Sequence, residues 1–127
     1  MENNKRLAKL ETFNKLFMEL LNDLHVIKPN DTTLLWVKTA VALLDTETLV
    51  SQFMDYVDEY SEKILNRDES FFVNELHKTV NEEGFAAREI KKVRSIWLDP
   101  KTTDDTKECI WKYFILLVKL GKSLVKN

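Results

Sequence analysis

The sequence predicts an all-α protein: one domain over residues 1–127, a bundle of about six helices with the C-terminal helix at its centre. Three observations carry this. The chain is 44% hydrophobic and 31% charged, a globular composition rather than a disordered one. It has only two Gly and two Pro, too few to punctuate the short strands of a sandwich or barrel. Its apolar residues recur at spacings of three and four, the period of a helix face.

The first helix is expected from about Lys5 to Val26, where Leu10, Phe13, Phe17, Leu20 and Leu24 form one stripe. Pro29 closes it, and Asp31 can cap the next helix. The second helix, Thr32 to Leu44, holds Leu35, Val37, Ala40, Val41, Leu43 and Leu44 with Lys38 as its one charge. So sparse a charge predicts a largely buried helix, with Trp36 on its packing surface. Asp45-Thr46 supplies a stop and a new cap. A third helix then runs to about Asn66 on the stripe Val50, Phe53, Val57, Tyr60 and Ile64.

Asn66-Arg67-Asp68 is a short break, and Asp68 caps a fourth helix from Glu69 to about Val80 that buries Phe72, Leu76 and Val80. The loop Asn81–Gly84 leads to a fifth helix, about Phe85 to Trp97, with Ile90, Val93, Ile96 and Trp97 inward. Pro100 closes it. The last helix begins near Thr103. Asp104 and Asp105 suit its positive end, and Lys122 and Lys126 its negative end. Its segment Ile110 to Leu120 is apolar around nearly the whole circumference, which predicts packing partners on several sides. Gly121 marks either a close helix contact or a frayed end.

Chemistry is sparse. His25, His77 and Cys109 are isolated, without the spacing of a metal site. Cys109, beside Ile110 and Trp111, is expected to be a buried small hydrophobe, and with one cysteine no internal disulfide forms. Ser123 and Lys126 match a bare S-x-x-K pattern without its accompanying motifs. Two glycines cannot build a phosphate-cradling loop. The expectation is a non-enzyme with no cofactor, no metal and no small-molecule substrate. The N-terminus carries no apolar signal region, and the longest apolar run, Tyr113 to Val118, is far short of the roughly 20 residues of a membrane span. An intracellular, non-secreted protein is expected.

Net charge is −2, unevenly spread. Residues 45–85 carry eleven acidic and three basic side chains, residues 86–127 five acidic and ten basic. Either the two segments neutralise each other within the fold or they face partners. Asp55, Asp58, Glu59 and Glu62 make an acidic outer face on the third helix, a solvated surface or a candidate protein interface. Arg88, Lys91, Lys92 and Arg94 make a basic face on the fifth, a solvated surface or a candidate nucleic-acid contact. Trp36, Phe71, Phe72, Trp97 and Trp111 are core residues or anchors for a partner. Phe71 and Phe72 cannot both point one way, so Phe71 joins the candidate interface residues.

Several segments taken in order carry a resemblance. They are Phe13-Asn-Lys-Leu-Phe-Met-Glu-Leu-Leu, the Pro29-Asn-Asp turn, Lys63-Ile-Leu-Asn-Arg-Asp-Glu-Ser-Phe-Phe, Ile96-Trp, and Thr106-Lys-Glu-Cys-Ile-Trp-Lys-Tyr-Phe with Leu117 and Leu120. The chain resembles small helical proteins of unassigned activity in large nucleocytoplasmic DNA viruses, the giant viruses of algae and protists. The resemblance implies a viral protein made in an infected cell, and it brings no functional residues with it. The expected role is a helical module acting through protein–protein contacts or self-association in a virion, a replication compartment or on a host target. The alternative is a nucleic-acid-binding module using the fifth helix.

Overall fold

The computed structural model describes residues 2–75 and 85–125, with side chains over 4–73, Thr33 apart, and 92–125. Among them are six α-helices and no strand: α1 Glu2–Ile27, α2 Thr32–Leu43, α3 Thr46–Val57, α4 Ser61–Leu65, α5 Phe85–Leu98 and α6 Asp104–Val125. The long third helix expected to reach Asn66 is interrupted by a 3₁₀ turn at Asp58–Tyr60, which separates α3 from α4. Where a fourth helix was expected, the chain makes one wide π-type turn over Phe71–Glu75. Leu76, His77, Val80 and Gly84 lie outside the described residues.

The caps are local and specific. Asp31 Oδ1 accepts the backbone N–H of Leu34 at 3.2 Å, starting α2, and Asp45 Oδ2 accepts that of Thr48 at 3.3 Å, starting α3. Each satisfies a donor with no partner inside its helix. Thr103 Oγ1 does the same for Thr106 at the start of α6. Arg67 ends α4 in the left-handed region at φ 55°. The chain then turns back on Asp68, which accepts the Ser70 N–H at 3.0 Å.

The core is aromatic. Phe13 and Phe17 of α1, Phe53 of α3 and Phe114 of α6 are fully buried, and Phe53 meets Phe13 edge-on at 5.6 Å. Phe72 stacks on Trp97 at 4.2 Å and meets Trp111 at 4.8 Å, so the π-type turn ties α5 to α6. Edge-on and offset ring pairs are each worth about 0.5–1.5 kcal/mol beyond area burial.

α6 packs on α1, α3 and α4. Those contacts bear out its central place in part, with one strip left open: Ile110, Trp111, Phe114, Leu117, Val118, Gly121 and Leu124 are buried, while Cys109, Lys112, Leu116 and Lys119 face solvent. Those four fall at spacings of three and four, on the face opposite the core. The expected burial of Cys109 is therefore corrected, because the helix turns it onto the outer strip with the two lysines. Gly121 is a close contact, not a frayed end. A Cβ there would lie 2.9 Å from Met54 Cγ and closer still to Sδ. Arg6 of α1 secures the far end, donating to the Leu124 carbonyl at 2.8 Å and to Glu47 of α3.

Candidate protein-docking surface

α2 departs most from its sequence reading. Leu34, Val37 and Val41 are buried against the bundle. Thr32, Leu35, Trp36, Thr39, Ala42 and Leu43 are exposed. At about 100° per residue these six fall within about 120° of arc centred on Thr39, opposite the buried three. Leu35 is 52% exposed, Trp36 50% and Leu43 86%. The expectation of a largely buried α2 with Trp36 in its packing surface is corrected: one face is core and the other is surface.

This outer face holds no charge in a chain where 31% of residues are charged. Lys38, the only charge on the helix, turns aside, its Nζ 3.4 Å from His25 Nδ1 at the end of α1. Thr39 donates its hydroxyl to the Leu35 carbonyl at 3.1 Å. That internal bond satisfies the one side-chain donor at the centre of the face. At the C-terminal end Ala42 and Leu44 join Leu7 and Leu10 of α1 in lining a groove of about 500 Å³. Glu11, Lys15, Asp45 and Glu47 line the same groove, so the stripe runs into a concave surface with an apolar floor and a charged rim.

The residues singled out from sequence lie elsewhere. Phe71 is fully buried, within 6.0 Å of the rings of Tyr60 and Phe114. It is not a surface group: side chains about 100° apart can both face a core, as Ile110 and Trp111 do on α6, and here both adjacent phenylalanines do so. Phe72, Trp97 and Trp111 are core as well. Trp97 donates its indole N–H to Glu69 at 2.9 Å and carries the Lys107 ammonium over its ring. Asp55, Asp58, Glu59 and Glu62 are all exposed and spread over α3, the 3₁₀ turn and α4.

On the basic face, Lys92 pairs with Asp31 at 2.7 Å, and Arg94 donates to the Val73 carbonyl at 3.3 Å. Two of its four cations therefore tie α5 to neighbouring segments. The side chains of Arg88 and Lys91 lie outside the described residues. Other charge pairs also join elements distant in sequence: Lys28 with Asp99, and Arg67 with Glu108. These partners hold the carboxyls of Asp99 and Glu108 below their ordinary range, for Asp99 after the backbone N–H of Lys101. Asp68 is likewise lowered, by its bonds to Ser70.

Among the described residues no three His, Cys, Asp or Glu converge as a metal site requires. Nor is any helix among them long and apolar enough to cross a membrane. Ser123 receives a hydrogen bond from Lys9, and Lys126 lies outside the described residues. No family model, curated protein or solved structure matches the chain.

The sequence hid the α2 face because a helix normally marks its outer side with charge. Here threonine and alanine mark it, and leucine shares it. The available signal was the spacing of Thr32, Thr39 and Ala42 opposite Leu34, Val37 and Val41.

Proposed function

We propose that this protein is a helical interaction module that works by contact rather than by chemistry, and that a protein partner docks on the outer face of α2. The observation that carries this is the uncharged exposed stripe centred on Thr39, with Leu35, Trp36 and Leu43 open to solvent. Interface cores are depleted in charge and enriched in aromatic side chains, and this face has both properties. Trp36, half-exposed, is of the residue type most enriched in binding hot spots. Contiguous exposed apolar residues on a monomer mark interaction sites. In the setting implied by the viral resemblance, the partner is a component of the virion, the replication compartment or the host.

Site-specific photo-cross-linking tests the proposal. A benzophenone side chain at position 36 is expected to capture protein in the cell of origin. The same group at Asp58, on the acidic side, is expected to capture little. Equal capture at the two positions, or none at 36, overturns it.

A further inference from the structure

We infer that the outer seam between α1 and α6 carries a phosphate-contact site, through which the protein touches a nucleic-acid backbone without reading its sequence. Three contacts fix how the two helices run. Arg6 reaches the Leu124 carbonyl, Lys9 donates to Ser123, and Tyr113 donates to Asp23. The helices are therefore antiparallel, with residue 9 level with residue 123. Lys5 stands one turn from Lys9 on the same face of α1, and Lys119 one turn from Ser123 on the same face of α6. Lys5, Lys9 and Lys119 thus form a row about 12 Å long.

Charge sets this row apart. Arg6, Lys28, Arg67, Lys92 and Lys107 each pair with a carboxylate and tie one segment of the bundle to another. Lys5, Lys9 and Lys119 are exposed and meet no carboxylate among the described residues. The Ser123 hydroxyl is also unspent. Thr12, on the same seam, gives its proton to the Ala8 carbonyl at 2.9 Å. Ser123 accepts from Lys9, and among the described residues its own O–H has no acceptor. Lysines with a hydroxyl donor among them are groups that meet phosphate oxygens.

The same groups choose between anions. A carboxylate is gripped best by an arginine fork, but Arg6 is committed to Glu47 and to the Leu124 carbonyl. Lysine meets phosphate as a point charge. Anionic membranes are held by clusters of about four to eight cations, more than this single file supplies. No exposed aromatic ring stands in the row among the described residues, so bases have nothing to stack on. Glu19 and Asp23 flank Tyr113 at the other end of the seam and confine the contact to the row. Lys9 lies about 200° around α1 from Leu7, which lines the groove beside α2, so the two surfaces are open at once.

Fluorescence anisotropy of the full chain against a labelled DNA duplex of about 20 base pairs tests the inference. Three phosphate contacts predict a log–log salt slope of about −2.7, a loss of about 200-fold in affinity between about 20 and 150 mM salt. Lys9→Glu with Lys119→Glu is expected to weaken binding at least about tenfold and flatten the slope to about −1, with far-UV circular dichroism unchanged. Lys15→Glu with Lys101→Glu makes the same change in net charge at exposed positions off the row, and is expected to weaken binding less than about threefold. A second duplex of unrelated sequence is expected to bind within about twofold of the first. No binding at about 20 mM salt with protein up to about 500 µM overturns the inference. Equal losses in the two double variants overturn it as well, because net charge rather than the row would then set the affinity. Capture on vesicles of phosphatidylserine and phosphatidylcholine without duplex binding overturns the assignment to nucleic acid. None of these results bears on cross-linking at position 36, so the docking face of α2 stands or falls separately.

Discussion

α2 and α6 each carry a long apolar run, and the bundle uses the two in opposite ways. α6 carries lysines at 112 and 119 among its hydrophobic residues, and those positions, with Cys109 and Leu116, form its solvent face. Ile110, Trp111, Phe114, Leu117, Val118, Gly121 and Leu124 are core, against α1, α3 and α4. α2 is the less charged of the two, yet it leaves two leucines and a tryptophan at the surface. Low charge therefore does not measure burial. It measures the absence of an instruction to face water, which a core and a docking surface share.

Substitutions sharpen the contrast. Phe114→Ala on α6 removes a ring that meets Phe53, Phe71 and Phe72, and is expected to cost about 3–5 kcal/mol in chemical denaturation. Leu43→Ala on the open face of α2 is expected to change stability by less than about 0.5 kcal/mol. A large loss at Leu43 would mean that the face is already covered.

Gly121 tests the close packing of α6 more finely. Gly121→Ala forces Met54 to move and is expected to destabilise by about 1–2 kcal/mol. In a Met54→Ala background the same change is expected to reverse sign, stabilising by up to about 1 kcal/mol through helix propensity alone. A cost that persists without Met54 would place the strain elsewhere.

The smallest effects are in pH. Asp68, Asp99 and Glu108 have lowered folded values. Their contribution is present above the unfolded values near pH 4 and is lost as pH falls below them. Tyr113 runs the other way. Burial, and then its hydrogen bond to Asp23, raise its phenol. Its contribution is complete below the unfolded value of about 10 and declines as pH rises beyond it. Tyr113→Phe is expected to flatten the alkaline limb of a stability-versus-pH curve and leave the acid limb unchanged.

The helical fold was legible because its signals are local. Asp31, Asp45 and Pro100 announce ends, and Phe13, Phe17, Leu20 and Leu24 repeat at the right period. Chain direction after Tyr60 was less legible. The 3₁₀ turn and the π-type turn preserve apolar spacing while changing the path, so Phe71 read as a surplus aromatic when both it and Phe72 are core. The docking face was least legible. Its residues are those of a buried helix, and only tertiary placement of Leu34, Val37 and Val41 leaves Leu35, Trp36 and Leu43 outside. The acidic face of α3 and α4 was visible from charge alone, whereas the pairing of Lys92 with Asp31 joins residues far apart in sequence.

Fluorine NMR of the chain labelled with 5-fluorotryptophan tests the contrast most directly, since Trp36 reports on α2, Trp111 on α6, and Trp97 on the core between α5 and α6. With Trp36→Phe used for assignment, the Trp36 resonance is expected to show a large solvent isotope shift in dilute protein. Trp97 and Trp111 are expected to show almost none at any concentration. A Trp36 resonance as shielded as the other two in dilute protein would contradict the account.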